Sequence, residues 1–162
     1  MIDPTAWVSE LAVIDTGVTI GANCRVWEFS KIREGAVIGA GTTIGMGAYI
    51  GPGVSVGKNC KIQNNALIYD PAILGDGVFI GPAAVLTNDK RPEATGSNGE
   101  PKLLAEWNQD RVVVGDGASL GAGSICVAPV RIGMNALVGA GAVVTRDVQD
   151  GTTVVGVPAN PI

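Results

Sequence analysis

A small set of polar side chains in this sequence has the types and spacing that chemistry needs. Gln63 and Asn64 are adjacent amides, Asn88 and Asp89 set an amide beside a carboxylate, and Tyr69, Glu28 and Arg33 complete the set. Amides orient a reacting group through hydrogen bonds, and a carboxylate at the same place is a candidate base. The sequence contains no histidine. The commonest general base and the commonest zinc ligand are therefore missing together, which argues against a Ser-His-Asp hydrolase and against a zinc enzyme; no metal site is expected. Cys24, Cys60 and Cys126 have no CxxC spacing and read as reduced thiols packed inside.

These residues must be held by something, and the holding element is a repeat. Stepping by six from Ile2 through Val8, Ile14 and Ile20 to Leu86 meets only Ile, Val or Leu. The phase breaks after Leu86 and resumes at Val114, Leu120, Cys126, Ile132, Val138 and Val144. The residue after the aliphatic is Gly in eleven of these twenty-one units, and the third residue after it is Gly, Asn or Asp in fifteen. Those three types tolerate positive φ best, so the third position is expected to be a left-handed turn. Each unit reads as a short strand plus a turn. Three units make a triangular coil, and about seven coils stack at roughly 4.8 Å per strand into one continuous core. The whole chain is thus predicted to be a single all-β domain, a parallel β-helix.

A repeat exposes its own exceptions. Sorted by corner, the residues after each aliphatic are plain on one edge and bulky or polar on the other two. One of these carries Trp27 and Gln63; the other carries Arg33, Tyr69 and Thr87. Asn64 and Asn88 fall one residue before the left-handed position, where a side chain is free to meet a ligand. Asn65, Asp89 and Asp147 fall on the left-handed position itself, which favours a structural role. Between the two phases lies an insertion of 22 residues, about Lys90 to Arg111, rich in polar residues, Gly and Pro. It is expected to leave the solenoid as a loop, with a helical turn at Leu103–Trp107, and to reach an active site or a neighbouring subunit.

Composition bounds the partners. A net charge of −4 and no basic cluster argue against nucleic acid. No apolar run reaches the 18 or so residues of a membrane span and the N-terminus does not resemble a signal peptide, so a cytoplasmic location is expected. The repeat, together with the stretches RVWEFSKI (Arg25 to Ile32), KIQNNALIY (Lys61 to Tyr69), FIGPAAVLTND (Phe79 to Asp89) and the ending VVTRDVQDGTTVVGVPA (Val143 to Ala159), resembles the hexapeptide-repeat acyltransferases. Within them the sequence is most similar to bacterial N-acetyltransferases acting on UDP- or dTDP-linked 3-amino sugars. It differs from that group's first motif in carrying Glu28 and Lys31 where histidines are usual.

The resemblance implies a left-handed coil, a homotrimer with active sites between subunits, and transfer of acetyl from acetyl-CoA to a sugar amine for surface glycans such as lipopolysaccharide. It implies that Asn88 positions the amine, with Asp89 as the alternative base. Gln63, Asn64, Tyr69, Glu28 and Arg33 are the implied nucleotide-sugar contacts. On the cofactor side, Gly121, Ala122, Gly139 and Ala140 would let pantetheine approach the backbone, Arg146 would meet a phosphate, and Val157 with Pro158 would meet adenine. The missing histidine itself favours an amine over a hydroxyl acceptor, because a neutral amine is already nucleophilic. The competing readings are an acyltransferase for another amine, a hydroxyl or an amino acid, and a non-catalytic solenoid scaffold.

Overall fold

A computed structural model describes residues 1–103 and 110–162. The helical turn expected at Leu103–Trp107 lies largely outside the described residues. The chain winds through three sheets of nine, seven and six strands, begun by β1 (Trp7–Val8), β2 (Val13–Ile14) and β3 (Thr19–Ile20). We call these the first, second and third faces. Successive strands of a face lie 18 residues apart and pair parallel, Trp7 with Arg25 and Ile62 with Ile80 for example. The exception is the final antiparallel pair of β21 (Thr153–Val155) with β22 (Asn160–Pro161). Among the described residues no helix is long and apolar enough to cross a membrane.

The six-residue phase is the core. From Ile20 to Leu86, and from Val114 to Val144, each aliphatic of the series, with Cys126, is at most 2% exposed. Ile2 and Val8 are less covered because no coil lies beneath them. The small residues two before each aliphatic, such as Ala36, Ala48, Ala66 and Ala84, are also fully buried. Thr42 is one of the few polar interior residues, and its hydroxyl donates to Gly57 O at 2.9 Å and accepts from Cys60 N at 3.0 Å, which satisfies it. The expected seven coils are present. Beyond Val144 the chain adds part of another, with Val148 bridging to Ile132 and Val154 pairing with Val138, out of the six-residue phase.

The left-handed corners lie where the composition places them. Gly17, Asn23, Gly35, Gly41, Asn59 and Asn65 all have φ between 55° and 75°, and Phe29 and Ala83 occupy the same position. Asp89 and Asp147 do not, contrary to expectation. At Asp89 the chain leaves the stack, and at Asp147 it enters the shortened coil, so neither residue turns a regular corner. Their carboxylates instead accept backbone N–H groups, from Arg91 at 2.7 Å and from Arg131 at 2.8 Å. The insertion leaves after β14 (Val85–Leu86) and returns at β15 (Val112–Val114). Its base is closed by Asp110 N donating to Asn88 O at 3.1 Å, and its described part is pinned by a Thr95–Pro101 bridge and a Lys102–Glu93 ion pair.

Candidate active site

The corner between the second and third faces holds a cleft of about 640 Å³ under the insertion. Arg33 and Tyr69 follow the core residues Ile32 and Ile68, so the coil turn aims them outward. Asn88 and Asp89 follow Leu86 three coils above Arg33, where the loop departs. All four line the cleft, together with Tyr49, Asp70 and the first residues of the loop, Pro92 to Ala94.

Arg33 is fixed from three sides. Its Nε donates to Asp15 Oδ2 and to Glu34 Oε2, both at 2.9 Å, and its Nη1 reaches the Tyr49 hydroxyl at 3.4 Å. Lys31 Nζ donates to the other Asp15 oxygen at 2.5 Å. That hydrogen bond holds the Asp15 carboxyl below the usual carboxylate range, with Arg33 adding to it. The carboxylate of Glu34, and then the Tyr49 hydroxyl, push the Arg33 guanidinium further up. Tyr49 and Tyr69 stand one coil apart with ring centroids 5.3 Å apart and tilted by 46°. The cleft therefore has an aromatic wall, one committed cation and the carboxylates of Glu34, Asp70, Asp89 and Glu93. That surface suits a hydroxylated, amine-bearing ring.

The other sequence candidates lie elsewhere. Gln63, Asn64 and Glu28 are at the corner between the first and second faces, across the second face from the cleft, and none of them lines it. The freedom expected of the Asn64 side chain is not seen: its Oδ1 accepts Met46 N at 3.0 Å and ties its coil to the one below. Asp76, Asp116 and Asp150 do the same for Lys58, Asp76 and Met134. The residue before the left-handed turn is thus a rung of a side-chain ladder, a use that single-coil reasoning misses. Tyr49, Glu34 and Asp70 were missed because attention to the residue after each aliphatic skips the outward strand residue and the turn. Two outward tyrosines 20 residues apart were the available signal.

The cofactor candidates sit on late coils. A Cβ at Gly121 would lie 2.5 Å from Ala140 N, and one at Gly139 would lie 2.7 Å from Val155 Cγ1, so coil stacking accounts for both glycines. Ala122 and Ala140 are exposed on that corner, one coil apart. Arg146 lines a separate pocket of about 280 Å³ at the end of the stack, with Ala159 and Asn160; Val157 and Pro158 are exposed beside it. The three cysteines are buried, and burial pushes the Cys126 thiol up to about 12, which leaves it protonated and inert. No group of three or more potential metal ligands occurs among the described residues.

Comparison with known proteins fits this architecture. Residues 35–70 and 56–88 match the bacterial transferase hexapeptide family (six repeats), and residues 111–146 match the hexapeptide repeat of succinyl-transferase. The chain belongs to the hexapeptide-repeat transferases. Among solved structures it is similar to PerB from Caulobacter crescentus in complex with CoA and GDP-perosamine, at 26% identity and TM-score 0.58 over 98% of this chain and 57% of that one. A mutant of AntD, an N-acyltransferase from Bacillus cereus in complex with dTDP and coenzyme A, shares the fold at 21% identity and TM-score 0.58, over 99% and 82%. The bifunctional protein GlmU of Oleidesulfovibrio alaskensis is 54% identical over 44 residues, 27% of this chain and 10% of that protein. The chain thus spans a little over half of PerB and a tenth of GlmU.

Proposed function

We propose that this protein transfers an acetyl group from acetyl-CoA to the amino group of a nucleotide-linked amino sugar, a step in making surface glycans. The observation that carries this is the joining of Asn88, Asp89, Tyr69 and Arg33 in one cleft on a hexapeptide solenoid without histidine. The complexes of PerB with CoA and GDP-perosamine and of AntD with dTDP and coenzyme A support it.

The chemistry asks little of the protein. A neutral amine needs orientation and a place for its proton. In this reading the Asn88 side-chain oxygen accepts a hydrogen bond from the amine and aims its lone pair at the thioester carbonyl. The C–N bond forms, the C–S bond breaks, and the proton passes to the departing thiolate or to Asp89. Because Asp89 Oδ1 already accepts Arg91 N, only its other oxygen is offered as that base. The residues toward CoA are Ala122 and Ala140, whose exposed positions leave backbone open, and Arg146, which makes no ion pair with a described residue.

The split between the two corners is resolved by a homotrimer. The second face presents Tyr49, Leu67, Val85, Ile125 and Val143 outward, an apolar row between the corner of Gln63 and that of Asn88. Three copies packed head to tail along that face would set the Gln63 corner of one against the Asn88 cleft of the next, a contact that closes with three-fold symmetry. The test is acetyl transfer, followed as free thiol release, with acetyl-CoA and UDP-, dTDP- or GDP-linked amino sugars. Asn88→Ala is expected to lower turnover about ten-fold or more by loss of an orienting contact. Unchanged turnover would remove Asn88 from the mechanism.

A further inference from the structure

The cleft offers little to a diphosphate: its one lining guanidinium is already taken by Asp15, Glu34 and Tyr49. An anion would find no uncommitted cation among its described lining residues. The outward row of the first face is different. In register along it stand Trp7, Arg25, Thr43, Lys61, Phe79, Ser119, Leu137 and Thr153. Arg25 and Lys61 are the only charges in this row, both are exposed, and neither pairs with a described acid. No other face has two unpaired cations in its row: Lys31 is held by Asp15, and Arg131 stands alone on the third.

Beside Arg25, the indoles of Trp7 and Trp27 meet edge to face with centroids 5.1 Å apart. They stay 47% and 39% exposed and frame a notch of about 310 Å³ with Arg25. Apolar rings of that size left open on a solenoid have a flat partner to gain. Arg25 and Lys61 lie two strands apart, about 10 Å, with the Thr43 hydroxyl between them. A planar ring on the indoles followed by two linked phosphates matches this order of groups.

We infer that the Trp7–Trp27 notch and the Arg25–Thr43–Lys61 row bind a nucleoside diphosphate, the base on the indoles and the phosphates along the row. The inference rests on the acetyl-transfer reading and deepens it by placing the nucleotide half of the acceptor. The row runs beside the corner of Gln63. A sugar extending from it would pass that residue, and its amine-bearing ring would enter the Asn88 cleft of the neighbouring copy.

Tryptophan fluorescence tests this directly. Trp107→Phe removes the third indole of the sequence, and the probes are UDP, dTDP and GDP, with uridine and inorganic pyrophosphate as controls. A nucleoside diphosphate is expected to quench saturably, and each control to bind at least ten-fold more weakly. Arg25→Ala and Lys61→Ala should each weaken binding on the order of ten-fold and reduce its salt dependence. Trp27→Ala should weaken it by a similar factor, with melting temperatures unchanged. Absence of quenching, equal affinity for pyrophosphate, or wild-type affinity in Arg25→Ala would overturn the inference. The two ideas fail separately. Asn88-dependent acetyl transfer with an unaltered acceptor KM in Arg25→Ala would sink the nucleotide site and leave the enzyme reading. Nucleotide binding along the row without any CoA-dependent transfer would do the reverse.

Discussion

At the residue scale, the pair Asp15 and Arg33 decides how well the cleft is built. Asp15 receives both Lys31 and Arg33, and so orients the guanidinium that flanks the tyrosines. Its carboxyl is depressed below 3.8 by Lys31 first. A depressed carboxylate contributes stability that is present above its unfolded value and is lost as pH falls through its lower folded value. Asp15→Asn should therefore melt earlier than the parent at pH 7, and the gap should close as pH falls through the carboxylate's lowered folded value and the parent protonates. The group is solvent-facing, so the shift will be small, and the acceptor KM is the more sensitive reading. An unchanged KM would show that Arg33 needs no such support. Asn88 could be singled out from the sequence because it stands one residue before the turn position, whereas Asp89 fits the turn pattern and entered only as the carboxylate beside it. The bond from Asp89 to Arg91 could not, since it exists only where the loop turns away from the stack.

At the element scale, each strand and turn is a copy of one solution, and its glycines mark where coils touch. A Cβ at Gly57 would stand 2.3 Å from Gly75 O, against backbone that cannot yield. At Gly53 the φ is +62°, and a Cβ would meet nothing within 4 Å. Gly57→Ala is thus expected to destabilise by about 2 kcal/mol or more through overpacking. Gly53→Asn should cost well under that, because Asn tolerates the left-handed region and its side chain enters open space. Thermal melting of the two variants checks this. Equal losses would show that the coil spacing relaxes more readily than its ladder of bonds suggests. Their sequence positions, one after the aliphatic and three after it, already distinguish these two roles. The use of Asn64, Asp76 and Asp116 as rungs between coils was not visible, because it depends on the backbone N–H one coil away.

At the scale of the whole molecule, the proposed reading requires two corners of neighbouring prisms to serve one substrate. In the proposed trimer, Leu67 lies within the apolar outward row of the second face, and a charge there would be buried against a neighbour. Leu67→Asp is expected to shift the assembly toward monomer and to abolish acetyl transfer while the fold stays intact, because burying an unpaired carboxylate costs several kcal/mol. Light scattering and circular dichroism read the two effects. A trimeric, active Leu67→Asp protein would move the contact to another face.

The sequence by itself determined the solenoid, its period, its interior and the exit of the insertion, because a six-residue repeat is a local rule that every unit obeys. It also narrowed the chemistry to consider, since a chain without histidine lacks the commonest general base and the commonest zinc ligand. The tertiary structure alone decided which exceptions share a site. Residues 18 or 36 apart become neighbours only when coils stack, and the face on which each lands sets whether it meets Asn88 or stands across the prism from it. The period already set Gln63 and Arg33 on different corners; the stacked coils showed that only the Arg33 corner shares its cleft with Asn88.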